Sequence, residues 1–138
     1  MTIYTVFAKK YQWQLFDWVI LEKHYHFLTK VSQSKTIPLL INSVHKTSAF
    51  HIKKLLNLNI KPFWYQYWDR CIRNEKHYFE TATYILYNSV RHGYVDDVSK
   101  YKFSSFKNGT ETHKENLYRE IKKYKPDKIE YYKEIDDF

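Results

Sequence analysis

In this 138-residue chain, two pairs of residues have the types and spacing that chemistry requires: His24 with His26, and Tyr84 with Asn88. Successive side chains on an extended segment alternate faces, so imidazoles at 24 and 26 project from one side and can hold one metal ion through two nitrogens. The same spacing arises where two histidines simply line a solvated sheet face. On a helix drawn at about 100° per residue, Tyr78, Phe79, Ala82, Ile85, Leu86 and Val90 form one arc that must face the core. Tyr84 falls nearly opposite, beside His77, Glu80, Thr81, Asn88 and Arg91, with Asn88 one turn on. A surface tyrosine with a buried ring would have the same pattern. Read as a nucleophile, a phenol with a pKa near 10 attacks well only if its proton is removed or a metal activates the target phosphate.

These residues need elements to hold them. Trp13 to Glu22 (WQLFDWVILE) reads as a strand, and His24 to Val31 (HYHFLTKV) as a second, so the two form an antiparallel pair. SQSKT ends the sheet signal. Pro38 then sits where a first helical turn tolerates it, and apolar residues at Ile41, Val44, Ile52 and Leu55 predict an amphipathic helix over 37–56. FWYQYWDRCI, after Pro62, reads as a long aromatic strand that takes in Cys71, to which no role is given. Asn74 offers an N-cap, Glu75 suits the positive helix end, Arg91 and His92 the negative end, and Gly93 the stop, which predicts a helix over 75–92. TIYTVF at the start fits a strand or a short helix equally. VDDVSKYKFSSFKNG reads as loop and ENLYREIKKY as a helix of about ten residues before Pro126. The tail IEYYKEIDDF is acidic.

Composition narrows the function classes. With only Gly93 and Gly109, the chain cannot form a glycine-rich phosphate cradle, which argues against a nucleotide cofactor. One cysteine rules out an internal disulfide and a multi-cysteine zinc site. There is neither a long apolar run nor a secretory signal pattern, so the expectation is a soluble cytoplasmic protein with no membrane partner. The net charge is +8, with 16 Lys and Arg against 7 Asp and Glu in residues 1–108 and 7 against 8 in 109–138. That split suggests a basic domain over 1–108, the one that bears both residue pairs, followed by a C-terminal helix and acidic tail over 109–138. A basic body favours a polyanion partner through counterion release, although it also serves solubility alone.

From WVILEKHYHFL, YWDRCIRNEKHYF, YILYNSVRHGYV and YKFSSF, the chain resembles the single-tyrosine, His-hydrophobic-His transposases of bacterial insertion sequences, in particular the branch associated with repetitive extragenic palindromes. The match runs from about residue 11 to about 106. It implies an α+β, ferredoxin-like antiparallel sheet with helices on one face. It further implies a Mg²⁺ or Mn²⁺ ion held by His24, His26 and Asn88, and a 5′-phosphotyrosine bond formed by Tyr84 on single-stranded or hairpin DNA. Arg70, Arg73, Lys53, Lys54 and Trp64 are the candidate DNA contacts, although taken singly Trp64 reads more readily as core and a lone lysine as merely solvated.

Three features depart from the family pattern. The first strand of its sheet is missing, so TIYTVF substitutes for it, a partner subunit fills the gap as in a homodimer, or the chain is a truncated remnant. Glu22 and Lys23 stand where the family often has Pro-Asn, and Ser89 where it often has Pro. The leading expectation is a DNA strand transferase. The alternatives are a catalytically inactive nucleic-acid-binding remnant or regulator, and a purely structural protein.

Overall fold

A computed structural model describes residues 3–108 and 111–124. In order they form α1 (Ile3–Lys10), β1 (Gln14–Ile20), β2 (Tyr25–Lys30), α2 (Ile37–Leu56), α3 (Glu75–Arg91), α4 (Ser105–Asn108) and α5 (Glu111–Lys123), with single 3₁₀ turns at Ser34–Thr36 and Val98–Lys100. The expected α+β class with an antiparallel pair is borne out: β1 and β2 form a two-stranded sheet. The chain divides into two compact units. One holds the described residues up to Leu15 together with Thr29–Arg70; the other holds Phe16–Leu28 and the described residues from Cys71 onward.

In the first unit the described part of TIYTVF, from Ile3 on, is helical, so of the two readings the sequence left open it takes the helix and not the strand. The Tyr4 hydroxyl donates to Thr29 Oγ1 at 3.1 Å, and the Trp13 indole N–H donates to Thr36 Oγ1 at 2.8 Å. α2 starts with proline in its first turn, as the sequence predicts, and ends where Asn57 takes a left-handed conformation (φ 50°). Its buried residues, Leu40, Ile41 and Val44, all lie in its first half.

The strand expected over FWYQYWDRCI does not form, and Cys71 lies exposed outside any strand. β-propensity measures how well a side chain fits a pleated, half-buried surface, and no strand among the described residues offers these aromatics one. Two of them pack on α2 instead. The Trp64 ring stacks on His45, with centroids 4.8 Å apart and planes within 14°, and its N–H donates to Ser48 Oγ at 2.9 Å; Phe63 lies under the Lys53 ammonium at 5.9 Å. Tyr65 and Trp68 are left 86% and 69% exposed.

The second unit has its own core of Val19, Leu21, Leu28, Ala82, Tyr84, Ile85, Leu86, Val98, Tyr101, Phe106 and Leu117. α3 follows the sequence closely: Asn74 Oδ1 accepts the His77 N–H at 2.8 Å, and Gly93 (φ 74°) turns the chain out of the helix. The supposed loop after α3 is in fact part of the core scaffold. Val19 and Ser104 form an antiparallel bridge, the Tyr101 hydroxyl donates to the Ile20 carbonyl at 2.8 Å, and Ser105 Oγ donates to buried Asp17 at 3.0 Å. The helix expected before Pro126 is α5; the acidic tail lies outside the described residues.

Candidate active site

Strand parity brings the histidines to α3. Leu28, on β2, is buried in the second unit's core, and the period of two sets His26 on the same face, with His24 just before the strand. The Leu21 N–H donates to the His24 carbonyl at 2.9 Å, fixing the backbone at the turn. The His24 and His26 rings meet edge to face with centroids 5.3 Å apart, so the expected same-side pair is present. The His26 ring in turn meets Tyr84 edge to face at 5.5 Å.

Tyr84 departs from its expected setting. It is only 6% exposed and belongs to the core, as do Thr83, Asn88 and Ser89 around it, so the second half of α3 is enclosed on nearly every side. A helical wheel assumes one dry face and one wet one. Here the second face is covered by the histidine strand, which a wheel cannot register.

Asn88 is held by its own helix. Its amide N–H donates to the Tyr84 carbonyl at 3.1 Å, leaving Oδ1 as the side chain's acceptor. That oxygen and Nε2 of His24 are both buried without a hydrogen bond of ordinary length. The Asn88 carboxamide is nevertheless near enough to His24 to favour a charged ring, which only partly offsets the burial that lowers the pKa. Burial pushes His26 down to about 3, and His24, His92 and Arg91 add to the effect by charge repulsion. The imidazoles are therefore neutral at pH 7, the state a metal requires.

Two orphaned donor atoms beside a neutral imidazole fit a divalent cation with nitrogen and amide-oxygen ligands. No three His, Cys, Asp or Glu side chains among the described residues are already closed round one point, which is consistent with a set that includes an asparagine.

His92, given only a helix-end role by the sequence, also borders the histidine pair. Its ring lies 5.0 Å from that of His24, centroid to centroid. The one-turn step that links Tyr84 to Asn88 links Asn88 to His92, so helical spacing held the signal; a role at the helix end had already accounted for that residue.

The proposed DNA contacts divide between the units. Lys53, Lys54, Trp64 and Arg70 belong to the first, and Arg73 to the second with the histidines and Tyr84. Lys54, Arg70 and Arg73 are exposed, Lys53 lies over the Phe63 ring, and Trp64 is half-buried in its stack on His45.

No protein-family model matches the chain. Among curated proteins it is similar to the REP-associated tyrosine transposase of Escherichia coli (strain K12), with 30% identity over 92 residues, 64% of this chain and 52% of that protein. Among solved structures it is similar to a REP-associated tyrosine transposase bound to a REP hairpin, with a TM-score of 0.62 and 24% identity over 77% of this chain and 62% of the other. This chain is similar in sequence and fold to REP-associated tyrosine transposases. The family likeness read from its motifs is thus found again in both sequence and fold. The chain spans about half the length of the curated transposase it matches. Among the described residues no helix is long and apolar enough to cross a membrane.

Proposed function

We propose that this protein binds single-stranded or hairpin DNA and cleaves it through Tyr84, with a divalent cation held by His24, His26 and Asn88. The contact of the Tyr84 ring with His26 inside one chain carries the reading, and it supports a nucleophile acting beside its own chain's histidines. The similar solved transposase is bound to a REP hairpin, which supports the choice of substrate.

The Tyr84 oxygen attacks phosphorus and loses its proton. The bond to the 3′ oxygen breaks, that oxygen leaves as a hydroxyl, and the 5′ end stays on the protein as a phosphotyrosine. Mg²⁺ or Mn²⁺, when bound, supplies charge to a phosphate oxygen in the transition state. His24 and His26 serve as neutral ligands, while Asn88 presents Oδ1 because its N–H is engaged by the helix. Rejoining is the same step reversed with another 3′ end.

The burial of Tyr84 favours a second reading, a hairpin-binding regulator that no longer cleaves. Incubating the full chain with 5′-labelled and 3′-labelled hairpin DNA and Mn²⁺ separates the two. A covalent protein–DNA adduct that disappears in Tyr84→Phe supports the nuclease. Salt-sensitive binding without an adduct supports the regulator and overturns the nuclease.

A further inference from the structure

Of the candidate DNA contacts, Trp64 is the one that the fold already uses. Its ring stacks on His45, its N–H is held by Ser48, and Phe63 meets it edge to face at 5.4 Å. These contacts pin the start of the segment 63–70 to α2. Just beyond the pin the setting reverses: Tyr65 and Trp68 stand largely in water, and among the described residues no ring, cation or hydrogen-bonding group engages either side chain. Leaving two large aromatic surfaces exposed forgoes the burial that drives folding, which points to a use outside the chain.

The surroundings select the kind of partner. The unit that holds this segment carries nine Lys and Arg against Asp69 alone, and Lys61 and Arg70, both exposed, bracket the aromatic run. A second copy seated on the same rings about a twofold axis would bring two such charges face to face. A single strand of nucleic acid fits both features. Its bases offer flat faces that stack on aromatic rings, and its phosphates take up the cations. A duplex stem offers the phosphates but keeps its bases stacked on one another.

We propose that Tyr65 and Trp68 form a stacking platform for unpaired bases, with Lys54 and Lys61 beside it for the phosphates, so that this surface receives the single-stranded part of a substrate and not a hairpin stem. The platform rests on the reading that the protein binds single-stranded DNA, and it is independent of cleavage by Tyr84. Trp64 then serves as the anchor that holds the platform on α2, a positioning residue and not itself a contact.

The test is the affinity of the full chain, with EDTA present so that nothing is cut, for a hairpin carrying an unpaired tail and for the same hairpin cut flush. The parent protein should prefer the tailed hairpin. Tyr65→Ala and Trp68→Ala should each weaken binding of the tailed form by about tenfold and leave the flush form unchanged. The slope of log affinity against log salt should stay the same in both, because stacking releases no counterions. Trp68→Phe keeps an aromatic face and should retain most of the affinity. Both side chains are exposed, so all three variants should melt as the parent does. Tail preference intact in both alanine variants, or an equal loss on the flush hairpin, would overturn the platform and leave DNA binding standing. Alanine variants that bind DNA like the parent but change its oligomeric state would assign the rings to a second copy instead. A parent protein that binds neither hairpin would sink the DNA-binding reading, and the platform with it.

Discussion

At the scale of single residues, the site is defined by what its side chains cannot do. His26 is held neutral by burial, with a pKa pushed down to about 3 from the ordinary 6.5. Between those values the unfolded chain takes up a proton that the folded one refuses. Stability must therefore rise with pH across that window and fall as pH drops from about 6.5 towards 3. One such group gives a slope approaching about 1.4 kcal/mol per pH unit. Urea melts from pH 7 to pH 4 should show that loss, and His26→Gln, which has no proton to gain, should flatten it; an equal slope in the variant would remove His26 as its source. The same burial explains why the sequence exposed the histidine pair more clearly than the surroundings of Tyr84. A parity of two needs only a strand, whereas enclosure of the tyrosine depends on β2 lying over α3.

At the scale of elements, α2 and α3 were readable because each carries local signals. Pro38 and an apolar stripe mark α2, and Asn74 and Gly93 mark the two ends of α3. Asn74→Ala should cost about 1 kcal/mol by stranding the His77 N–H, a shift that thermal melts resolve. The elements misread were those defined by partners. FWYQYWDRCI has every local feature of a strand and lacks the neighbour that makes one. VDDVSKYKFSSF has few local features, yet it closes the core through long-range bonds to β1. Trp18 N–H donates to Ser105 Oγ, which donates to buried Asp17, across 87 and 88 residues of sequence. Ser105→Ala removes both bonds at once and takes a donor away from a buried carboxylate. It should destabilise the protein by about 1–3 kcal/mol, measured by denaturant midpoint. Ser105→Thr keeps the hydroxyl and should lose less. A Ser105→Ala protein as stable as the parent would mean that this loop is not the brace its bonds suggest.

At the scale of the whole molecule, the net charge of +8 proves to be unevenly shared. The first unit carries nine Lys and Arg against Asp69 alone, whereas the described residues of the second carry eleven against nine acids. The sequence split at about residue 108 hid this, because the boundary between the units crosses both strands and interleaves the chain. The proposed chemistry thus belongs to the nearly neutral unit, and the electrostatic capacity to hold a polyanion belongs to the other. Counterion release makes the difference measurable: each phosphate neutralised on single-stranded DNA contributes about 0.7 to the slope of log affinity against log salt. Replacing Lys53 and Lys54 by Gln should lower that slope by about 1 to 1.5 and weaken binding to hairpins of any sequence. Lys76→Gln is the control. That lysine is in the second unit and already faces Glu80 at 3.7 Å, so its loss should leave the slope unchanged. Equal falls from both changes would show that the segregated charge is not what grips the DNA, and a slope untouched by the double change would move the DNA off the C-terminal end of α2.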